Sequence, residues 1–432
     1  MSLKNSLWLC AVIAMMAVPL TAETLQSRID AVPEGGVLLL EAGIYHGAIT
    51  IDRAMTLRGV PGAIVDGGRQ GSVIRVRADD VRIEGLTIRN SGLKLGKDEA
   101  GIHSTGDGVV IMGNRIESCL HGIYLREVAG GEIRDNSILG GTGSGLEPVF
   151  DALTEGTPRA GGTEFCAVAL LNENRRGNGI HLFSSTDVRI EGNRIARTRD
   201  GIYFSFADHC VVADNRVSET RYGLHYMYSD DNRFYRNRFT HNAAGAALMY
   251  SGGLTVEYNE FSGNRGRRAY GMLLQSVDDS VIRHNVFAGN TVGVYAENSQ
   301  RNALTANRIE GNYIGLRMGG SSADNVVSQN AFQRNLHPAE FAGEADANQW
   351  SGPQQGNRWQ STQSPDLDGD GVGELSHLEA DFLGDLRQQF PLAGLLSGSP
   401  GLELLRFAHS RGKLPSLPTI EDLHPLVTAD AP

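Results

Sequence analysis

Asparagines 22 residues apart run through the middle of this sequence, in "GNRI", "DNRV", "RNRF" and "YNEF", at Asn193, Asn215, Asn237 and Asn259. The series continues to Asn285, Asn307 and Asn330 in steps of 26, 22 and 23. It reaches back to Asn136 and Asn114, with one long step of 57 between Asn136 and Asn193. Apolar residues keep the same beat. Ile116, Ile195, Val217, Phe239 and Phe261 stand two places after an asparagine, and Ile111, Ile190, Val212 and Phe234 three places before one. A second asparagine ladder follows five places on, at Asn242, Asn264, Asn290, Asn312 and Asn335. Within each unit the apolar residues alternate with polar ones, which is the signature of short strands rather than of a helix face.

One such unit cannot bury its own apolar side, so the units must stack. The expected fold is all-β: a right-handed parallel β-helix, a solenoid with rungs of about 22 residues set about 4.8 Å apart. One alignment column then becomes one line along the solenoid. "ETLQSRIDAVPEGG" reads as a short helical cap on the first coil, and residues 23–340 as the β-helix. The long step places an insertion at about 140–176. Residues 341–432 read as an extension with an Asp-rich loop and a helix-like stretch, Leu378–Leu405.

A glycine column (Gly122, Gly179, Gly201, Gly223, Gly245, Gly271, Gly293, Gly315) precedes one strand of each rung, and the next residue is apolar and inward. The second and fourth residues after glycine then point outward. The second-position column reads Tyr124, His181, Tyr203, His225, Ala247, Leu273, and the fourth Arg126, Phe183, Ser205, Met227, Met249, Gln275. His225 and Met227 thus share one outer face, with Met249 one rung beyond Met227. Two thioethers and an imidazole form a ligand set that suits Cu(I) rather than calcium or magnesium, and outward methionines otherwise bury nothing. The alternative is that outward columns tolerate almost any residue, with Tyr203 or Phe183 packed against the insertion. In "RYGLHYMYSDDNRF", Leu224, Tyr226 and Tyr228 read as core.

The outward arginines Arg115, Arg194, Arg216, Arg238 and Arg308 read as a solvated column balanced by acids such as Glu191. The pairs Asp79–Asp80, Asp230–Asp231 and Asp278–Asp279 read as turn residues rather than acid–base catalysts. "DLDGDGVGE" places Asp366, Asp368, Asp370 and Glu374 as in a calcium loop, although His377 stands where such a loop has a bidentate glutamate.

The first 22 residues carry one charge, Lys4, and an apolar run that ends in small residues, as in a cleaved export signal. Their removal takes the net charge from −11 to −12, a poor balance for nucleic-acid binding. No later stretch is apolar enough to span a membrane. The three remaining cysteines, Cys119, Cys166 and Cys210, allow at most one disulfide within the chain.

The strings "ENRRGNGIHLFSS", "DGIYFSFADHCVVADN", "RYGLHYMYSDDNRFYRN" and "AGAALMYSGGLTVEYN", with "DLDGDGVGE" near the C-terminus, resemble the NosD family, the periplasmic β-helical proteins of nitrous-oxide reductase maturation. The resemblance implies a non-enzymatic accessory protein, peripheral to the inner membrane. It implies partnership with an ABC transporter, made of a membrane subunit and a cytoplasmic ATPase, with a copper chaperone lipoprotein and with nitrous-oxide reductase, whose copper–sulfur centre is assembled. Two rival classes share the scaffold: a carbohydrate-active lyase, hydrolase or epimerase, and a docking scaffold that never touches metal.

Overall fold

The computed structural model describes residues 24–140, 176–266, 269–341, 347–380 and 419–427, with a few positions between 399 and 408. The expected signal segment 1–22, Cys166, nearly all of the insertion and most of the helix-like stretch lie outside the described residues. Leu378, read as the start of that stretch, instead lies in a strand, His377–Ala380, paired antiparallel with Thr419–Asp422.

The solenoid expectation holds. Three parallel sheets of 12, 13 and 12 strands run the length of the coil, and each rung contributes one strand to each sheet. The asparagine ladder sets the register. Asn193 donates its backbone N–H (2.9 Å) and its side-chain Nδ2 (2.9 Å) to Oδ1 of Asn215, and Asn215 does the same to Asn237 at 3.0 Å. Nδ2 of Asn215 also reaches the Ile190 carbonyl at 2.8 Å. Both amide hydrogens and both oxygen lone pairs are thereby used, which is what makes a fully buried amide tolerable. The second ladder repeats the pattern from Asn264 to Asn290 and from Asn290 to Asn312.

Inward columns fill the coil. Phe239, Phe261 and Phe287 stack at 5.3 and 5.1 Å, and Phe332 stacks on Trp359 at 4.5 Å. The glycine column is steric. A Cβ on Gly223 would lie 2.6 Å from the Gly245 carbonyl oxygen and 2.8 Å from the Phe239 ring, distances that no side chain accepts. Cys119 and Cys210 are free and buried. Burial pushes both thiols up to about 12, so neither is a thiolate at neutral pH.

Both ends are closed. The helix Leu25–Asp30 buries Leu25 and Ile29, while the Gln26 amide exchanges two hydrogen bonds with the backbone of Thr50 (3.0 and 2.8 Å). Gln26 thus acts as a strand partner for an edge that would otherwise be open. At the other end the coil outlasts its sequence period. Asn330 passes the ladder on to Asn357 and Asn335 to Gln360, and the second sheet gains a last strand at Arg358–Trp359. The buried carboxylate of Asp422 then accepts from Asn357 N–H (2.6 Å) and Trp359 Nε1–H (2.8 Å).

The aspartate pairs serve turns: Asp230 Oδ1 caps the Gly252 N–H and Asp278 Oδ1 that of Gln300. The arginine column is exposed, but Glu191 pairs with Arg189 instead, and Arg115 with Glu117. Removing the Asn215 amide breaks four buried hydrogen bonds, to Asn193 N–H, Asn193 Nδ2, the Ile190 carbonyl and Asn237 Oδ1. Asn215→Ala is therefore expected to lower unfolding free energy by about 2–4 kcal/mol, whereas Arg216→Ala, on the exposed column, stays within about 0.5 kcal/mol. Urea titration of both variants checks the contrast.

Candidate functional site

The outer face of the third sheet carries the columns that follow glycine, and its register is as expected. Tyr203 pairs with His225, and Met227 with Met249. The environment is different. His225 is 4 % and Met249 2 % exposed, and Met227 is half-buried. The reason is a second apolar layer outside the coil. Ala244, Ala247, Met249, Tyr270, Leu273, Val292 and Ile314 form it, with Met227, Tyr222 and Tyr295 packed against it. The methionine pair is part of that layer rather than a solvated patch.

Tyr228 is also not core. From Glu127 to Asn298 the residues five places after the glycine adopt left-handed backbone, Tyr228 at φ 51°, so the chain turns and the strict alternation stops there. Tyr226 remains fully buried, while Tyr228 is exposed and stacks between Phe206 and Tyr250.

His225 belongs to a buried charge network whose other members, Asp200 and Arg221, sequence columns did not single out. Arg221 donates to Asp200 through Nε (2.8 Å) and Nη2 (2.5 Å), and His225 Nδ1 lies 3.1 Å from Asp200 Oδ2. Burial would raise the Asp200 carboxyl, but the Arg221 charge and the hydrogen bonds from His225 and Arg221 outweigh it and hold the group well below the usual carboxylate range. An ionised carboxylate only accepts, so the His225 nitrogen that faces it, Nδ1, carries a proton. A carboxylate behind an imidazole is the arrangement that fixes a metal-ligating tautomer and raises its basicity. On the neighbouring rung the Tyr203 hydroxyl donates to the Met227 sulfur at 3.9 Å.

Histidine and tyrosine alternate along this face as His103, Tyr124, His181, Tyr203 and His225, with ring centroids 4.4–5.1 Å apart. His121 joins from the position before the glycine, 5.6 Å from His181, and its Nδ1 accepts the Asn178 N–H at 3.0 Å. Burial, with the Arg75 charge, lowers His103 to about 4. Burial, with Arg199, lowers His121 to about 4, and His181 also falls well below its ordinary value through burial and the nearby His121. These three imidazoles, His103, His121 and His181, are neutral at neutral pH. Asp200 and His121 share the position just before the glycine, which was the signal available for finding them.

In the Asp-rich loop, Asp366, Asp368 and Glu374 bring carboxylate oxygens within 4.8 Å of one another. All four acids accept from loop N–H groups: Asp366 from Gly369 and Gly371, Asp368 from Asp370, Glu374 from Leu367, and Asp370 from Val372 at 2.8 Å. His377 is buried against Trp359, rings 5.0 Å apart, which accounts for a histidine at that place.

The depressed histidines make stability depend on pH. The unfolded chain binds a proton at His121 near 6.5 and the folded chain only near 4, so stability is full above 6.5 and falls as pH drops through that window. Between pH 7 and pH 5 the loss attributable to His121 is about 2 kcal/mol. His121→Gln, which keeps an acceptor for Asn178, is expected to flatten the pH dependence of urea unfolding by that amount.

Comparison with known proteins gives a family and a fold. Residues 161–364 match the family described as "Periplasmic copper-binding protein (NosD)". A protein of Pseudomonas aeruginosa named "Probable ABC transporter binding protein NosD" is 36 % identical over 91 % of this chain and 88 % of its own length. A protein of the same name from Stutzerimonas stutzeri is 34 % identical over 90 % and 86 %. Among solved structures, the A-module of the Azotobacter vinelandii mannuronan C-5 epimerase AlgE6 superposes with TM-score 0.53 at 14 % identity, covering 76 % of this chain and 94 % of that one. The Streptococcus pneumoniae adhesin PfbA superposes with TM-score 0.50 at 12 % identity, over 83 % and 92 %. The structural likenesses establish the coil alone. The sequence relatives establish more: the chain belongs to the NosD family.

Proposed function

We propose that the chain is a non-enzymatic periplasmic accessory protein that receives Cu(I) and passes it on during assembly of the copper–sulfur centre of nitrous-oxide reductase, together with an ABC transporter. The observation that carries this reading is the Asp200–His225 pair set beside two thioethers in register on one face. As ligands, Nε2 of His225 and the sulfurs of Met227 and Met249 would all be neutral donors. Such a set takes a soft monovalent ion and holds it less tightly than thiolates would, which suits cargo in transit. Met227, half-buried, is the side of the set nearest water. The family description and the relatives' names support both the copper and the transporter.

The carbohydrate-enzyme reading needs an accessible acid and base. Asp200 is buried beneath Arg221 and committed to His225, so it does not offer one. The docking-scaffold reading differs from ours in having no metal step, and thioether chemistry separates the two. Met227→Leu/Met249→Leu keeps volume and removes only sulfur. Anaerobic Cu(I) competition against a chromophoric chelator is expected to show at least tenfold weaker retention by the variant. Equal and negligible retention by both proteins would leave the scaffold reading in place.

The same proposal gives the Asp366–Glu374 loop a calcium ion held by Asp366, Asp368 and Glu374, with Asp370 completing the acidic run. Calcium is expected to raise the thermal midpoint of the native protein and not that of Asp366→Asn/Asp368→Asn. An unchanged midpoint in the native protein would reduce the loop to a turn.

A further inference from the structure

Phe206, Tyr228 and Tyr250 form an exposed aromatic stack on three successive rungs, 52 %, 46 % and 42 % exposed. Phe206 and Tyr228 lie 5.4 Å apart with 10° between planes, and Tyr228 and Tyr250 5.1 Å apart with 11°. Phe183 meets Phe206 edge-on at 6.3 Å. All three stack residues have left-handed backbone, φ 54°, 51° and 53°, an unfavourable conformation for a bulky side chain. The backbone does not call for rings there. The same turn holds Ser184 and Ser276 on flanking rungs at φ 48° and 53°. The aromatics bury little and cost conformational energy, so the fold does not account for them.

The occupant follows from geometry and charge. Tyr228 has both faces covered by its neighbours and Phe183 meets Phe206 edge-on, so apart from the outer face of Tyr250 the stack presents ring edges and hydroxyl groups. A sugar ring or a lone cation would need an open face, whereas ring edges and Tyr hydroxyls fit a protein surface. The turns beside the stack carry Asp187, Asp208, Asp230 and Asp231, and among the described residues none of these four is in an ion pair. A second copy of this chain would bring the same acids against them, and an anionic lipid surface would be repelled. A partner with an apolar centre and a Lys/Arg rim is complementary.

Tyr228 and Tyr250 each directly follow a thioether residue, Met227 and Met249. We propose that the Phe206–Tyr228–Tyr250 stack is the docking surface for a Cu(I)-carrying protein with an apolar, basic-rimmed face, seated where it can exchange metal with the methionine pair. The identity of the partner rests on the copper reading above; the docking surface itself does not.

The test uses the full mature chain and the copper-chaperone lipoprotein of the same organism, Cu(I)-loaded and without its lipid. Phe206→Ser/Tyr228→Ser/Tyr250→Ser installs the residue found on the flanking rungs, and thermal unfolding confirms its fold. Calorimetric affinity for the chaperone is expected to fall at least tenfold, while Cu(I) retention by the chain alone is unchanged. Asp187→Asn/Asp231→Asn, which retains a residue type tolerant of left-handed backbone, is expected to flatten the salt dependence of association. Equal affinity of native and triple-serine chains, or no complex with the native chain, would overturn the docking inference. Loss of docking in a chain that retains no Cu(I) would instead uphold the surface and overturn the copper reading.

Discussion

The side-chain amide of Asn215 has both hydrogens and both lone pairs engaged inside the coil, and the rest of the architecture depends on that arrangement. A buried amide with one bond missing would destabilise the core. One fully satisfied by the rungs on either side makes a register slip costly at every turn. The ladder therefore does more than close corners. It keeps position n of one rung over position n of the next, and every column-based statement about this molecule rests on it.

A fixed register turns sequence columns into surfaces. The glycine column lets the backbones of successive rungs approach. The residues around it then fall in line as a His/Tyr ladder, an apolar layer and a thioether pair. Chemistry on such a scaffold comes from neighbours in the stacking direction. Asp200 and His225 are 25 residues apart in sequence, yet they meet because they stand on adjacent rungs, one before and one after the glycine.

This explains what could be read in advance. The asparagine steps disclosed the coil, the inward columns disclosed the core, and Met227 and Met249 were legible as rung-mates, because each depends only on period and alternation. The burial of His225 was not legible, since a column says which side a residue faces and nothing of what lies over it. Tyr228 was misplaced because alternation presumes extended backbone, and the left-handed residue five places after the glycine, from Glu127 to Asn298, rotates the chain out of that pattern. The end of the coil was missed for a similar reason. The last step, from Asn330 to Asn357, is 27 residues, and Gln360 stands in for an asparagine.

The copper set proposed above lies deep, and the scaffold restricts how it could exchange an ion. Opening the strands to expose His225 would break ladder bonds at both corners of the rung, since Thr220 and Ser229 on either side of its strand are tied to Asn242 and Ser251 of the next. Backbone opening is thus the costly route. Side-chain motion is the cheap one. Methionine has three freely rotating bonds and a polarizable sulfur, and Met227 sits between the buried imidazole and the exposed Tyr228. On the copper reading proposed above, movement of that side chain is the route toward His225 that leaves every rung closed. A fixed backbone confines any such exchange to side chains, because the register that sets His225, Met227 and Met249 on one face does not move.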